Sequence, residues 1–301
     1  MPQESGKTLP NNPMTTILDT LQKGAGYLER HGVMESRLNM QYLLAHVLDC
    51  ERMQLYLDFD QPMDEASLER LRDLVKRRGE GRPLQHLLGT VEFCGFEFKC
   101  DGRGLVPRPE TEQLVELIVA KEWPQGVRIL DMGTGSGVIG LTLAGKLGEK
   151  SAALVTLADL SADALALAEE NRGLLGIGEE RVCLLESDLF AGVSGCFDLI
   201  VANLPYIPQG DMQKLSREVQ CDPKLALEGG QQGTEIMERF LNECREYLNP
   251  GGKVAMEFGF QQARDLKKMA EAAGFGKVEI VSDDSGHERF LFAGDLGEGG
   301  K

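Results

Sequence analysis

The sequence lacks the cysteine and histidine patterns that mark disulfide frameworks and zinc sites. Its seven cysteines are scattered and odd in number, and none forms a C-x-x-C pair. Its four histidines lie far apart and show no ligand spacing. We therefore expect reduced thiols in a cytoplasmic protein, and no metal site.

Targeting and membrane signals are lacking as well. Residues 1–13 are polar and contain no apolar h-region, and no arginine precedes Arg30. From such a segment we expect neither a secretory signal peptide nor a mitochondrial transit peptide. No apolar run approaches the roughly 20 residues that span a bilayer, so we expect no association with a membrane.

Basic residues are scarce. The chain has 32 lysines and arginines against 48 aspartates and glutamates, which gives a formal net charge of −16. A surface of this sign repels phosphate backbones, so direct binding to nucleic acid is not expected, although a local basic patch could override the net charge. The basic run at 76–82 would either steer an acidic protein partner or form the solvated end of a helix.

The first part of the chain is predicted to be helical. Ile17, Leu21 and Leu28 fall on one helical face, and similar spacing recurs along residues 15–80. We therefore expect a small N-terminal helical domain over residues 1–85.

The following segment changes character. Three phenylalanines surround the dipeptide Cys94-Gly95, which predicts a short β-hairpin. Pro107 and Pro109 then indicate a break in the chain. We interpret residues 86–108 as a β-hairpin linker between two domains.

From residue 127 onward, short apolar runs alternate with helical stretches. This alternation predicts an α/β domain of right-handed βαβ units, over residues 109–294, with a disordered tail at 295–301. Strands are predicted at 127–131, 154–159, 182–186, 197–202, 253–258, 277–281 and 288–292, and helices at 137–147, 161–175, 234–248 and 261–273. Because ligands bind at the carboxyl ends of the strands in such sheets, we expect the chemistry just after each strand.

A glycine-rich segment follows the first of these strands and opens a helix. Its candidate cofactor-binding residues are Asp131, Gly133, Thr134, Gly135, Ser136 and Gly137. Glycines let the backbone approach a ligand closely, and the helix N-terminus offers free N–H groups. A dinucleotide site is the rival, because Gly135 and Gly137 begin a formal G-x-G-x-x-G match. However, Asp131 would repel a pyrophosphate, whereas it suits a cationic ligand such as a sulfonium amino acid.

Acidic residues follow the next two strands. Asp159 closes the second strand, where a carboxylate can accept hydrogen bonds from both ribose hydroxyls, although it could also serve as a local helix cap. Asp188 and Leu189 follow the third strand. There they could meet an adenine, with the acid taking its exocyclic amine, or they could be a surface acid beside a core residue.

The segment that indicates the reaction follows the fourth strand and consists of Asn203, Leu204, Pro205 and Tyr206. Methyl transfer to an amide or aniline-like nitrogen requires the NH₂ group to be held so that its delocalised lone pair faces the methyl carbon. The side-chain oxygen of Asn203 and the backbone carbonyl of Leu204 can hold it as two acceptors. Pro205 presets that carbonyl, and Tyr206 offers a flat face. Positioning and electrostatics then suffice without a strong general base.

These residues resemble those of the peptide chain release factor glutamine N5-methyltransferases. The likeness runs from the helical region to Phe292. It includes the segments at 81–89, 106–112, 131–137, 187–190, 203–207, 218–219, 222–223, 226–230 and 250–252. The Arg-Pro-Glu-Thr-Glu stretch within 106–112 and the segments after Tyr206 are its specific parts, because the other motifs alone indicate only an amino-methyltransferase.

The resemblance implies a class I methyltransferase, Rossmann-like, with a seven-stranded, mostly parallel sheet and an N-terminal helical domain that binds the release factor. It implies S-adenosyl-L-methionine as cofactor and methylation of the glutamine in the Gly-Gly-Gln loop. We further expect a monomeric enzyme. Gly133 to Gly137, Asp159 and Leu189 would hold the cofactor. Asn203 would touch both cofactor and substrate, and Asn203 to Tyr206 would grip the glutamine amide.

The chain departs from the family pattern at Leu204, where the family usually has a proline. The motif Asn-Leu-Pro-Tyr also resembles the one found in ribosomal RNA adenine dimethyltransferases. An adenine-N6 methyltransferase and a methyltransferase for a ribosomal-protein glutamine therefore stay open as alternatives. A non-catalytic cofactor-binding module and an NAD-dependent oxidoreductase are further alternatives. The intact Asn203 and Tyr206 speak against the first, and hydride transfer gives the motif no role.

Overall fold

The structure, a computed structural model, describes residues 15–296, except for the side chains of residues 149, 295 and 296. The chain divides into two compact units, Met1–Leu88 and Gly89–Lys301. The division falls close to the predicted end of the helical domain at residue 85, but it leaves the whole hairpin in the second unit.

The first unit is helical, as the apolar spacing predicts. Its helices are α1 (Ile17–Arg30), α2 (Ser36–Leu48), α3 (Gln54–Leu57), α4 (Glu65–Gly79) and α5 (Leu84–Leu88). Thr16 and Asp19 form a capping box that satisfies backbone N–H groups at the start of α1. Leu21 and Leu28 of α1 are fully buried in a core that also includes Leu43 of α2.

Arg78, at the end of α4, is not part of a solvated basic surface. Its side chain is buried, its Nε donates to Asn39 Oδ1 at 2.7 Å, and its Nη1 donates to the carbonyl of Arg82 at 2.9 Å. Within the basic run at 76–82, this guanidinium therefore stabilises the helical unit and is not available to steer a partner.

The predicted hairpin is confirmed, and it packs within the second unit. It consists of β1 (Thr90–Phe93) and β2 (Phe96–Lys99). Phe93 and Phe98 are buried and belong to the core of the second unit. Because two buried aromatic side chains fasten the hairpin to this core, it is part of the α/β unit and not a free connection.

Helix α6 (Pro109–Val119) was missed by the sequence analysis. A proline in the first turn of a helix loses no hydrogen bond, because the N–H groups there have no intrahelical partner. Pro109 therefore starts this helix, and its interpretation as a chain break was wrong. Leu114, Val115 and Ile118 bury the inner face of α6.

The second unit contains a seven-stranded sheet in the order β5-β4-β3-β6-β7-β9-β8. The strands are β3 (Arg128–Met132), β4 (Leu154–Asp159), β5 (Val182–Glu186), β6 (Phe197–Asn203), β7 (Leu248–Glu257), β8 (Phe275–Ser282) and β9 (Glu288–Leu296). The pairs among β3 to β7 are parallel, whereas β9 runs antiparallel to both β7 and β8. The predicted mostly parallel sheet is confirmed.

Helices connect these strands: α7 (Val138–Ser151), α8 (Ala162–Leu174), α9 (Glu235–Glu243) and α10 (Ala263–Ala272). The helix predicted over 234–248 is shorter than expected, because a 3₁₀ turn at Cys244–Tyr247 follows α9. Three more 3₁₀ turns follow β6, at Gln209–Lys214, Val219–Cys221 and Lys224–Ala226.

The last strand is longer than predicted. Because β9 pairs with β8 as far as the Phe275–Leu296 partners, it continues past the expected domain end at 294. The remainder of the predicted tail, 297–301, lies outside the described residues.

The strand order reverses direction at β3. From β3 the chain moves outward to β4 and β5, and it then returns to place β6 on the other side of β3. This is the topological switch point at which α/β sheets bind ligands. Within residues 15–296, no helix combines the length and the apolar character that crossing a bilayer requires.

Candidate active site

A cavity of about 320 Å³ lies at the carboxyl ends of β3, β4, β5 and β6. Its volume falls in the usual range of small-molecule sites. All of its lining residues belong to the second unit, and they include Gly133, Gly135, Asp159, Leu189, Asn203 and Pro205. The four loops in which the sequence analysis placed chemistry therefore meet at one cavity.

The glycine loop after β3 has the backbone conformation that glycine favours. Gly133, Gly135 and Gly137 have φ values of +70°, +56° and +85°. The backbone N–H groups of Gly133 and Thr134 both donate to the carbonyl of Ala158, at 2.8 and 3.0 Å. Residues other than glycine rarely adopt these positive φ values, so the three glycines make the turn possible.

Asp131 lies beneath this loop and is not one of the described residues that line the cavity. Its Oδ2 accepts hydrogen bonds from Thr134 Oγ1 at 2.6 Å and from the Gly140 N–H at 2.8 Å. Burial raises the pKa of the fully buried carboxyl to about 6, although both hydrogen bonds oppose the rise. Among the described residues, Oδ1 has no hydrogen-bond partner. Asp131 therefore shapes the loop and leaves one carboxylate oxygen unsatisfied below it.

Asp159 faces the cavity at the end of β4 and joins two loops. Its Oδ2 accepts from the Gly135 N–H and its Oδ1 from the Ser161 N–H, both at 2.8 Å. Burial raises the pKa of this carboxyl, and the backbone hydrogen bonds oppose that effect. Ser161 itself caps α8. A carboxylate has about four lone-pair positions, so each oxygen can accept one more hydrogen bond from a ligand hydroxyl.

The turn after β5 is tightly held. Ser187 Oγ donates to the carbonyl of Leu189 at 2.6 Å and accepts from the Gly192 N–H at 2.9 Å. Leu189 is buried with a φ of +46°, and it lines the cavity. Asp188 is exposed at the cavity rim, 3.4 Å from Arg239 Nη1.

The residues from the last one of β6 onward, 203–206, divide between two surfaces. Asn203, Leu204 and Pro205 line the cavity, whereas Tyr206 lines a neighbouring groove that also includes Arg289. Leu204 is buried against the glycine loop, since a Cβ atom on Gly133 would lie 2.9 Å from Leu204 Cδ2. Burial raises the pKa of Tyr206 to about 12, so its hydroxyl is a neutral hydrogen-bonding group at physiological pH.

Two residues beside Asn203 were given no role by the sequence analysis, although Thr111 lies in the segment at 106–112. Thr111, in the first turn of α6, accepts from Asn203 Nδ2 at 3.2 Å and donates from its Oγ1 to Glu257 Oε2 at 2.7 Å. Glu257 ends β7 opposite Asn203 and is buried. An acid at the carboxyl end of a predicted parallel strand was a signal for this position, because Asp131 and Asp159 were found by the same rule.

An ion pair joins two of the segments that carry the family resemblance. Arg108 Nη2 lies 2.8 Å from Asp222 Oδ2, and the Asp222 side chain is fully buried. Burial raises the pKa of Asp222 to about 6, with Arg108 opposing the rise. The following residues, Pro223 and Ala226, line the cavity.

Backbone pairing holds the chain beyond Tyr206. The Ile207 N–H donates to the carbonyl of Leu227, and the Gly229 N–H donates to the carbonyl of Ile207, both at 2.9 Å. A Cβ atom on Gly229 would come within 2.5 Å of the Pro205 carbonyl oxygen, so this position requires glycine. The glycine-containing segment at 226–230 therefore supports the Asn203 to Tyr206 loop from behind.

The fold and this site define a class I methyltransferase. The model of the PrmC N-terminal domain matches residues 19–89, and the model of the methyltransferase small domain matches residues 109–229. A methyltransferase structure from Pyrococcus furiosus is similar with a TM-score of 0.50 and 22% identity, covering 66% of this chain and 89% of that one. This likeness shows the fold.

Two curated relatives are similar over most of the chain. The release factor glutamine methyltransferase of Geobacter sulfurreducens is 38% identical, over 92% of this chain and 95% of that protein. The enzyme of the same name from Rhodopirellula baltica is 37% identical, over 93% of this chain and 97% of that protein. The chain belongs to the release factor glutamine methyltransferase family, whose members use S-adenosylmethionine.

The residues of the cavity fit this cofactor. Gly135 lines the cavity and a Cβ atom there would meet nothing within 4 Å, so a ligand can approach its backbone, and Asp159 has acceptor positions left for ribose hydroxyls. The negative charge of Asp131 lies under the loop with one unsatisfied oxygen, which favours a cationic ligand above it. A dinucleotide would bring its pyrophosphate toward that same charge.

Proposed function

We propose that this chain transfers a methyl group from S-adenosylmethionine to the side-chain amide nitrogen of the glutamine in the Gly-Gly-Gln motif of peptide chain release factors. The observation that carries the proposal is the position of Asn203. It ends β6 at the cavity that the glycine loop and Asp159 also line, and Pro205 follows it on the same wall. An amide acceptor is thereby available where the transferred methyl must meet its nitrogen.

In the proposed site the glycine loop, Asp159 and Leu189 bind the cofactor, whose sulfonium supplies an electrophilic methyl carbon. Asn203 Oδ1 and the carbonyl of Leu204 accept hydrogen bonds from the two N–H bonds of the glutamine amide. Both bonds then point away from the methyl, and the nitrogen lone pair faces it. The rate gain comes from this alignment, because an amide nitrogen is a poor nucleophile without it.

Proton loss needs no dedicated base in this scheme. Once the nitrogen is methylated it is cationic and strongly acidic, so its proton can pass to water. Tyr206 is not an anionic base at neutral pH, because burial raises its pKa to about 12, and it lines the neighbouring groove. The proposal includes a monomeric enzyme acting in the cytoplasm, where translation takes place.

The experiment compares three acceptors under the same conditions. The protein is incubated with methyl-labelled S-adenosylmethionine and, separately, a release factor, ribosomal RNA, or ribosomal proteins. We expect label on the release factor, and loss of that label when the Gly-Gly-Gln glutamine is replaced by alanine. Label on ribosomal RNA with none on the release factor would favour the adenine methyltransferase. Label on a ribosomal protein would favour the methyltransferase for a ribosomal-protein glutamine.

A further inference from the structure

Asn203 is held by two linked hydrogen bonds that run through Thr111 to the buried carboxylate of Glu257, which also accepts a hydrogen bond from the Asn203 side chain itself. Thr111 is 3% exposed, and its hydroxyl lies between Asn203 Nδ2, at 3.2 Å, and Glu257 Oε2, at 2.7 Å. A hydroxyl has one hydrogen to donate. Because an ionised carboxylate can only accept, that hydrogen goes to Glu257, and Thr111 can only accept from Asn203.

These two hydrogen bonds determine the orientation of the Asn203 side-chain amide. With the Thr111 oxygen acting as acceptor, the NH₂ end of Asn203 must face it, and the carbonyl end must face away. A reversed amide would place two acceptors, the Asn203 oxygen and the Thr111 lone pairs, against each other. In the proposed reaction the carbonyl end is the one that binds the substrate NH₂ group.

We propose that Thr111 and Glu257 are positioning residues, which fix the Asn203 amide so that its oxygen is presented to the substrate amide. The inference rests on the proposed function and deepens it. Thr111 lies on α6 and Glu257 on β7, so the orientation of the acceptor after β6 is set by two elements distant in sequence.

The direction of the hydrogen bonds between Glu257, Thr111 and Asn203 depends on the charge of Glu257. Burial raises the pKa of this carboxyl to about 7, opposed by the hydrogen bond from Thr111, the charge of Arg289 on β9 and the hydrogen bond from Asn203. Glu110, on the same turn of α6 as Thr111, adds to the rise, and the Tyr206 hydroxyl after β6 is neutral.

A protonated Glu257 can donate to Thr111. The Thr111 hydrogen is then free to turn toward Asn203, which favours the reversed amide. The ionised carboxylate is thus the active form. We expect kcat to be highest above the pKa of Glu257 and to fall as the pH decreases through it.

The decisive variant is Thr111→Val, which keeps the shape of the side chain and removes both hydrogen bonds. We expect kcat for release factor methylation to fall by about 10- to 100-fold, because a small misplacement of an orienting group is costly in rate. The KM for the release factor and the Kd for S-adenosylmethionine should change by less than about threefold. Thr111→Ser restores the hydroxyl and should restore most of the rate.

Thr142→Val is the matched control. Thr142 is fully buried in α7, its hydroxyl has no partner among the described residues, and it does not line the cavity as described. This variant should keep the parental rate. A Thr111→Val enzyme that binds cofactor and turns over at the parental rate would overturn the inference, and so would a Thr111→Ser enzyme as slow as Thr111→Val.

Glu257→Gln provides an independent measurement if the valine variant folds poorly. The parent should show a step in kcat near the pKa of Glu257, and the glutamine variant should lack it. A parent without the step, or a variant that keeps it, contradicts the role of the ionised carboxylate. Failure of the proposed function is distinguishable, because then the parent itself leaves the release factor unlabelled at every pH.

Discussion

The loop after β3 and the loop after β6 face one cavity but are held by different kinds of contact. In the first, Asp131 accepts from Thr134 and Gly140, three and nine residues away in the chain. In the second, Asn203 donates to Thr111, 92 residues away, and that hydroxyl donates to a carboxylate on β7. The first loop is held by these local contacts and by Ala158 and Asp159 of the next strand, whereas Asn203 in the second is held by elements farther away in the sequence.

The difference indicates how each loop contributes to the reaction. A loop fixed by its own glycines and a buried carboxylate is suited to binding the part of the ligand that does not change. A side chain fixed from two other elements is suited to holding a group at one angle. We therefore expect damage to the glycine-loop side to reduce cofactor affinity, and damage around Asn203 to reduce the rate.

The largest effect is expected for Asn203→Ala. The variant removes one of the two acceptors that align the glutamine amide, and this contact is strongest in the transition state. The rate with saturating substrates should fall on the order of 100-fold or more, as for loss of one oxyanion-hole donor. Single-turnover methylation of a release factor measures this.

Asn249→Ala is the matched control for that experiment. Asn249 lies on β7 in the same sheet, and its Nδ2 donates to Asp198 Oδ1 at 2.7 Å, away from the cavity lining. It should keep the parental rate. If Asn203→Ala were as active as this control, the proposal that the loop after β6 sets the rate and the loop after β3 sets cofactor affinity would be contradicted.

Asp159→Ala tests the other side of the comparison and should act on affinity. Removing a carboxylate that accepts from ligand hydroxyls costs about 1.5–3 kcal/mol, which corresponds to a weakening of the Kd by on the order of 10- to 100-fold. Isothermal titration with S-adenosylmethionine measures it. Glu186→Ala is the control, because Glu186 pairs with Asp159 at the same edge of the sheet but is exposed.

An unchanged Kd in Asp159→Ala would mean that the carboxylate serves only the Gly135 and Ser161 N–H groups. Asp159→Asn separates the two roles further, since the amide retains one acceptor oxygen for a ligand or for the backbone. We expect it to bind more tightly than Asp159→Ala and more weakly than the parent.

The smallest effect is expected for Leu204→Pro, at the contact between the two loops. The proposed reaction uses only the backbone carbonyl of this residue, and proline is compatible with the extended geometry that precedes Pro205. The buried leucine side chain packs against Gly133, so the variant should lose about 1–2 kcal/mol of stability. The methylation rate should stay within about tenfold of the parent.

Denaturant unfolding and the release factor assay measure the two quantities separately. A variant that folds and binds cofactor but has lost its rate by 100-fold would show that the leucine side chain takes part in substrate selection. That result would also revive the RNA methyltransferase as a rival.

Patterns local to the sequence predicted most of the α/β unit. The limits of β4 and β5 agree with the predicted strands at 154–159 and 182–186, because each is a short, mostly apolar run that ends in an acidic residue. Gly133, Gly135 and Gly137 stand together in the chain and specify the turn after β3 directly. The cavity at the carboxyl ends of the strands followed from the predicted βαβ order.

The elements that were missed or misassigned depend on contacts remote in sequence. The sequence analysis predicted the hairpin but not that its Phe93 and Phe98 are buried in the core of the second unit. Pro109 was taken for a break, although the first turn of a helix tolerates proline. The proposed site residues kept their places at the cavity except Asp131, Gly137 and Tyr206, which lie outside its described lining.

The sequence by itself determined the order of the seven sheet strands along the chain, the glycine turn, the acid that ends β4 and the polar motif that ends β6, because each is encoded by neighbouring residues. Only the tertiary structure decided which residues hold that motif. The pairing of Asn203 with Glu257 requires β7 to lie beside β6, and the hydroxyl of Thr111 reaches both only after α6 has packed. No spacing in the chain contains that information, since it arises when elements far apart in sequence share one buried edge of the sheet.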